Sequence, residues 1–520
     1  MIKKSLLFPA LLLGTTLFAQ EYAKNWHLQY SPKDTLFGID LNTALTETPQ
    51  PSTAKTVIVA VIDAGIDIAH PDIAPNLWIN KAEVPNNGVD DDHNGYVDDI
   101  YGWDFLGNSS DDIQYDNLEM TRKLRELGKK FEGKKSSQIA KADKEDYKLY
   151  KQLQKIHQKK YEEASTLFQR YSTFHKYVKA LADELDSTNI TLEQLEKFEP
   201  KSSEAKVGHS FVLGNCKATG SKPKEFFEGI TEGYDYFYSQ VKYHLNLSFD
   251  PRSTIGDDYS NPSDNKYGNH EVEGPDAEHG THVAGIIGAV RNNSIGMDGI
   301  NPLVQIMTLR VVPDGDERDK DVALAIRYAV DNGAKVINMS FGKAYFHNKA
   351  IVDEAIKYAV SKDVLLIHAA GNDAKDIDEE SNYPTPRYAD GSTCKNWIEV
   401  GASDRDQNPA DFSNYGDETV DVFAPGVNIY STVPDNKYKD NSGTSMAAPV
   451  VAGIAALIRS YYPHLTAEQV KFCIESTVIK PTQKVKKPGS KKKKTKYTKL
   501  CKTGGIVNAN AALKAASQIK

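Results

Sequence analysis

Cysteine is scarce in this 520-residue chain, with only Cys216, Cys394, Cys473 and Cys501. No two of them share a short metal-ligand spacing, which favours a structural role over a zinc site for them. An even number in an exported chain permits disulfides in more than one connectivity, and a bond between Cys473 and Cys501 is one expectation. Excess charge is lacking too. Lys and Arg number 63 against 71 Asp and Glu, a net charge of −8. That balance lacks the basic excess of a nucleic-acid binder, and no nucleic-acid partner is expected. Long apolar runs are also missing. The stretch Leu6–Leu13 behind Lys3-Lys4 is too short to span a bilayer, and no later stretch is expected to do so. The first 19 residues read as a removable signal peptide cut after Ala19, with no cysteine there for a lipid anchor. The expectation is an exported protein, periplasmic or extracellular, without a transmembrane segment.

What is present is a strand–helix alternation. Thr56–Ile62 is a run of β-branched residues ending in Asp63. Strands are also expected over Val304–Val312, Lys335–Ser340, Val364–Ala370 and Trp397–Gly401, with helices over Lys320–Asn332 and Lys349–Ser361. Such alternation predicts an α/β fold, a mostly parallel sheet flanked by helices. Working residues in such sheets gather at the carboxyl ends of strands, where Asp63, Ser340 and Asn372 fall. Between Asp99 and Gly274 the alternation breaks. Tyr161, Ala164, Phe168, Tyr171, Phe174, Val178, Leu181 and Leu185 recur at helical spacing, so residues 116–200 are read as an inserted helical subdomain. Residues 201–273 are read as loop-rich. Lys480 to Lys502 carries eleven lysines and no acid, the pattern of a solvated loop.

Three segments carry chemistry. In Gly443-Thr-Ser-Met-Ala-Ala-Pro449 a serine stands at the mouth of a small-residue apolar helix, where free N–H groups and the helix dipole favour negative charge. Glu278-His-Gly-Thr-His282 places His279 at another helix mouth as the candidate base, with His282 a core residue. Two histidines alone do not make a zinc hydrolase, which needs further ligands. Asp63 is the candidate orienting carboxylate, and the Asn372 amide with the Ser445 N–H is the candidate oxyanion hole. Gly443-Thr-Ser-Met-Ala447 departs from the Gly-x-Ser-x-Gly elbow of esterases.

A fourth segment suggests a cation. Asp90, Asp92 and Asn94 precede Gly95, with the Tyr96 carbonyl next, the first half of an EF-hand-like calcium loop. Tyr101 stands where such loops carry their closing Glu, so Asp98 or Asp99 is expected to close the cage. Calcium is the expected structural cofactor.

With "VAVIDAGID", "HGTHVAGIIGA", "NMSFG", "HAAGN" and "NSGTSMAAPVVAG" in this order, the chain resembles the subtilisin-like serine proteases, the subtilases. The resemblance covers residues 55–110 and 274–520, about three fifths of the chain. It implies a serine endopeptidase acting through Asp63, His279 and Ser445, with Asn372 in the oxyanion hole. It also implies that Ser340, Phe341 and Gly342, with Ala369, Ala370 and Gly371, bind an extended peptide, and that Asp373 borders the specificity pocket. A second calcium site would join Asp72 to the loop 293–297. The implied layout is a signal peptide over 1–19, an N-terminal extension over 20–54, a protease domain over 55–115 and 274–520, and the insertion over 116–273. Protein or peptide substrates are the expected partners and the monomer the expected state. Ala64 departs from the family's hydroxyl residue after the Asp. The segment ahead of Thr56 is short for a folding propeptide, and the Asp-to-His connection is unusually long.

Overall fold

Alternation along one strand sets the architecture. Strand β1 is Val57–Asp63, and its Val57, Val59 and Val61 enter one apolar cluster while Ala60 and Ile62 enter another. Both faces are therefore covered, as a parallel sheet requires. The computed structural model describes residues 24–519 except 263 and 266, so the expected signal peptide lies outside the described residues. The other sheet strands are β2 Gly102–Asp104, β3 Val304–Arg310, β4 Val336–Met339, β5 Leu365–Ala369, β6 Trp397–Ser403 and β7 Val422–Pro425. They form one seven-stranded sheet in the order β2-β3-β1-β4-β5-β6-β7, and every neighbouring pair is parallel. A hairpin of β8 Ile429–Val433 and β9 Lys437–Asn441 lies outside it.

The longer helices are α1 Glu119–Phe131, α2 Lys144–Ala182, α3 Ser203–Thr219, α4 Pro223–Ser239, α5 Glu278–Gly288, α6 Asp319–Asp331, α7 Lys349–Ser361, α8 Thr444–Tyr461, α9 Ala467–Ser476 and α10 Ala509–Ala516. Helices α5, α8, α9 and α10 cover one face of the sheet, and α6 and α7 the other. The sequence expectation on apolar runs needs a correction here. Helix α8 is long and apolar enough to cross a membrane by length and composition, but 94% of it is buried inside the protein. It is the central core helix.

Residues of the N-terminal extension are part of this core. Trp26, Leu28, Ile39 and Leu41 are buried, Trp26 Nε1 donates to the Asn428 carbonyl at 3.0 Å, and Ala509 N donates to the Ile39 carbonyl at 2.7 Å. The cysteines differ from expectation as well. All four are free and buried, each in a different apolar cluster, so burial rather than cross-linking accounts for them. The lysine-rich segment forms a two-residue-per-strand hairpin, with Lys486, Lys499 and Lys502 paired to Asp411, Asp417 and Asp421.

The insertion carries more helix than the sequence suggested. The loop-rich reading of residues 201–273 is overturned over 203–239 by α3 and α4, whose Val212, Cys216, Phe226, Phe227 and Ile230 close a cluster against Val178 and Leu181 of α2. The apolar stripe of α2 thus finds its partner within the insertion, and Tyr161 at its near end stays exposed. The physical reason is that spacings of three and four persist beyond residue 200, masked by Gly, Ser and Asn between them. The Ser202 side chain caps α3 by accepting from Ala205 N at 3.1 Å.

At its base the insertion is riveted to the protease body by buried charge. Arg318 Nε donates to Asp116 Oδ2 at 2.8 Å, and Glu119 takes Arg122 at 2.7 Å and Lys343 at 3.0 Å. Burial alone would raise the Asp116 pKa, but Arg318, Arg122 and Arg252 hold it well below the ordinary carboxylate range. Breaking such a pair leaves an uncompensated buried charge, at a cost of about 3–5 kcal/mol.

Candidate active site

Asp63 ends β1 almost fully buried, and its Oδ1 lies 2.6 Å from Nδ1 of His279 in the first turn of α5. The same oxygen accepts from Ala64 N at 2.8 Å. The close approach depends on Gly280, since a Cβ there would sit 2.1 Å from the Gly65 carbonyl oxygen. Asp63 Oδ2 is buried without a hydrogen-bond partner among the described residues, beside an alanine that cannot donate from its side chain. The His279 side chain is 41% exposed, so one face of the ring opens to solvent. Burial of the rest works against its charged form. The Asp63 charge and hydrogen bond, with Asp276 and Glu278, outweigh that and raise the His279 pKa above its ordinary value. His282, as expected, is a core residue, with Nε2 3.1 Å from the Lys439 carbonyl oxygen.

Ser445 stands in the first turn of α8, and the proline four residues on explains how it is held. Pro449 lies inside the helix and has no N–H, so the Ser445 carbonyl lacks its usual helical donor. Ser340 Oγ fills that role at 2.9 Å. In return Ser445 Oγ donates to the Ser340 carbonyl at 3.1 Å.

The residue before it does equally specific work. Thr444 N and Oγ1 both donate to Asn372 Oδ1, at 2.9 and 3.0 Å, while Thr444 Oγ1 accepts from Gly371 N at 3.0 Å. Fixing Oδ1 fixes the amide, with Nδ2 as its remaining donor. Gly371 at φ +98° lies in the left-handed region that favours glycine, and a Cβ there would meet Asn414 Nδ2 at 2.5 Å. Thr444 carries no signal for this role in the sequence; its side chain anchors the Asn372 amide.

These groups line one cavity of about 680 Å³. Ser340, Phe341, Gly342, Ala369, Gly371 and Asp373 line it with His279, Asn372 and Ser445, whereas Ala370 is buried outside the lining. Topology creates the space. β1 separates β3 from β4 and ends at Asp63, while the chain runs on past both neighbours as Val311–Gly315 and Ser340–Gly342. A slot one strand wide is left between the two extensions. The outer edge of Val311–Gly315 is already paired, since Asp314 N donates to the Gln114 carbonyl at 2.7 Å and Asp116 N to the Asp314 carbonyl at 3.0 Å. Glu232 of α4 also lines the cavity. A second cavity of about 440 Å³ joins Gln152, Ile156 and Lys160 of α2 to Gly342, Asp373 and Asn382. The insertion therefore borders the cleft from two directions.

The acidic loop is built differently from its sequence pattern. Carboxylate oxygens of Glu83, Asp90 and Asp92 lie within 4.8 Å of one another, a set of hard oxygen donors that fits a divalent cation. Glu83 lies outside the loop motif and carries no local signal for this role. Asn94 Oδ1 accepts from Tyr96 N at 2.8 Å, and the Tyr96 ring packs on Trp103, Phe105 and Tyr328. Asp98 accepts from Asn87 N and Gly88 N at 3.0 and 2.9 Å. Asp99 is bound by Asn80, Asn94 and Tyr328, and burial pushes its pKa up to about 6 against those bonds. Neither Asp98 nor Asp99 joins the three-carboxylate group. At the second expected cation position, Asp72 accepts instead from Asn293 Nδ2 at 2.6 Å, and from Met297 N and Tyr438 Oη at 3.2 Å each.

A doubly covered parallel sheet, with an Asp–His pair at a strand end whose His shares one cavity with a helix-mouth serine, defines an α/β architecture of subtilisin type. The family model described as the subtilase family matches residues 54–504, and the chain belongs to this family. It is 40% identical over 203 residues to thermitase of Thermoactinomyces vulgaris, covering 39% of this chain and 67% of that protein. It is 38% identical over 200 residues to subtilisin BL of Lederbergia lenta, covering 38% and 69%. With the thermostable alkaline protease of Halalkalibacterium halodurans it shares 40% identity over 200 residues. That match covers 38% of this chain, which spans about half the relative's length, 52%.

Proposed function

We propose that the protein is an exported serine endopeptidase that cleaves protein or peptide substrates through an acyl-enzyme on Ser445. The observation that carries this reading is the 2.6 Å contact of Asp63 with His279, on the cavity that also exposes Ser445 and Asn372. A substrate strand enters the slot vacated by β1 and pairs with Ser340–Gly342 on one side. By taking the Ser340 carbonyl as its acceptor, it releases Ser445 Oγ to turn towards His279. His279 Nε2 then accepts the hydroxyl proton as Oγ attacks the scissile carbonyl. Asp63 holds the tautomer with the proton on Nδ1 and stabilises the imidazolium that forms. The Ser445 N–H and Asn372 Nδ2 donate to the developing oxyanion. His279 next gives its proton to the leaving amine, and a water activated by the same ring hydrolyses the ester.

Asp373 borders the pocket for the residue just ahead of the bond, which favours tolerance of Lys or Arg there over an otherwise apolar preference. Glu83, Asp90 and Asp92 would hold a calcium ion, whose bound charge supplies structural neutralisation of the three carboxylates. The protein acts as a monomer in this reading.

A fluorophosphonate probe tests the core of the proposal. It is expected to label Ser445 stoichiometrically, with label and peptide hydrolysis both absent from Ser445→Ala. Peptide hydrolysis persisting in a folded Ser445→Ala protein would overturn it.

A further inference from the structure

The cleft contains a carboxylate that the hydrolytic chemistry does not use. Glu317 lines the 680 Å³ cavity, is 2% exposed, and has a buried Oε1 without a hydrogen-bond partner. Lys343, whose charge acts on it, is committed elsewhere. Its Nζ lies 3.0 Å from Glu119 Oε2 and 2.6 Å from Asp319 Oδ1, and reaches only the backbone carbonyl of Glu317, at 2.7 Å. Burial pushes the Glu317 pKa up to about 7, with Lys343 opposing and Asp316 adding to the rise. A carboxylate left in this state is stabilised by any cation that a ligand brings to it.

The rest of the cavity favours such a ligand. Glu232, Asp276 and Asp314 also line it, while its Arg310 and Lys439 are already paired with Asp104 at 2.7 Å and Glu278 at 2.9 Å. An acidic cleft with low-dielectric walls concentrates positive groups. Position along the slot follows from the strand extensions. Glu317 lies two residues past Gly315 on one side and bonds Lys343, just past Gly342, on the other. Ser340, at the opposite end of that edge, holds Ser445. At about 3.3 Å per strand residue, Glu317 sits about three or four residues from the bond attacked by Ser445.

We propose that the cleft has a subsite for a lysine or arginine side chain of the substrate, about three or four residues on the amino side of the cleaved bond, closed at its inner end by Glu317. The subsite rests on the endopeptidase reading above.

Peptides carrying arginine or its neutral isostere citrulline at each of the positions ahead of the bond test it. For the wild-type enzyme, kcat/KM for arginine over citrulline is expected to be roughly tenfold or more at either the third or the fourth position, separately from any effect of Asp373 at the first, consistent with one charge-assisted contact. In Glu317→Gln that ratio collapses towards one, while the tolerance of arginine tied to Asp373 at the first position persists. A wild-type ratio near one at the third and fourth positions overturns the proposal, as does a ratio that survives Glu317→Gln. If Glu317→Gln does not fold, Glu317→Asp, with a carboxylate one methylene shorter, should lower the ratio; an unchanged ratio overturns the subsite. Fluorophosphonate labelling runs in parallel. Labelled Ser445 with no arginine preference removes the subsite alone, whereas no labelling and no cleavage removes the endopeptidase reading.

Discussion

Ser340 and Ser445 hold each other through two reciprocal bonds, Ser340 Oγ to the Ser445 carbonyl at 2.9 Å and Ser445 Oγ to the Ser340 carbonyl at 3.1 Å. The first replaces a helical bond that Pro449 cannot make. Ser340→Ala therefore leaves a partly buried acceptor without its donor and loosens the first turn of α8. The expected cost is about 1–3 kcal/mol of stability, with kcat/KM falling more than the melting shift accounts for. Unfolding curves and steady-state kinetics on the same preparation check both parts.

Ser445→Ala and His279→Ala should each abolish peptide cleavage, and the double variant should be no worse than either single one. Groups that act as one unit behave this way. Circular dichroism establishes that the variants are folded, and additive losses in the double variant would speak against a common step.

The pH profile follows from the raised His279 pKa, since only the neutral ring accepts the serine proton. In wild type, kcat/KM should rise with pH through a midpoint above the ordinary 6.5. Asp63→Asn removes the charge that raises it, so the midpoint should move down while the rate drops, on the order of 10³–10⁴-fold. In stability the sign is opposite: the Asp63–His279 pair contributes fully below pH 6.5 and is lost as pH rises through the folded-state value. A midpoint unchanged by Asp63→Asn contradicts this account.

Calcium should raise the melting temperature and slow self-cleavage, by about 2.7 kcal/mol at a concentration 100 times the dissociation constant. Asp90→Ala, Asp92→Ala and Glu83→Gln should each blunt the response. Scanning calorimetry with calcium or chelator checks it, and Glu83→Gln separates the three-carboxylate arrangement from the loop motif read alone.

Excising residues 119–243 tests the insertion, since Leu118 N already meets the His244 carbonyl at 3.1 Å and the flanks need only a short linker. Helices α2 and α4 border the cleft, so cleavage of folded proteins should change more than cleavage of short peptides. Equal effects on both, in a folded enzyme, would mean that the insertion does not restrict access.

By itself the sequence announced five of the seven sheet strands, missing Gly102–Asp104 and Val422–Pro425, and it named the residues proposed for the chemistry. Val57–Asp63 and Leu365–Ala369 announce buried strands because nearly every residue is apolar; Asp63 and Asn372 stand out as polar groups closing apolar runs, and His279 and Ser445 as polar groups at the mouths of small-residue apolar helices. Tertiary structure decided what depends on distance rather than on neighbours in the chain. Glu83 joins Asp90 and Asp92 only through the fold of the loop between them. Thr444 fixes the Asn372 amide across 72 residues of chain, and Glu317 Oε1 is left without a partner in the cleft wall because Lys343 is drawn to Glu119 and Asp319. The cysteines, scattered one to each apolar cluster, make the same point. Local pattern records which surfaces must be buried; which buried groups then meet is set by packing.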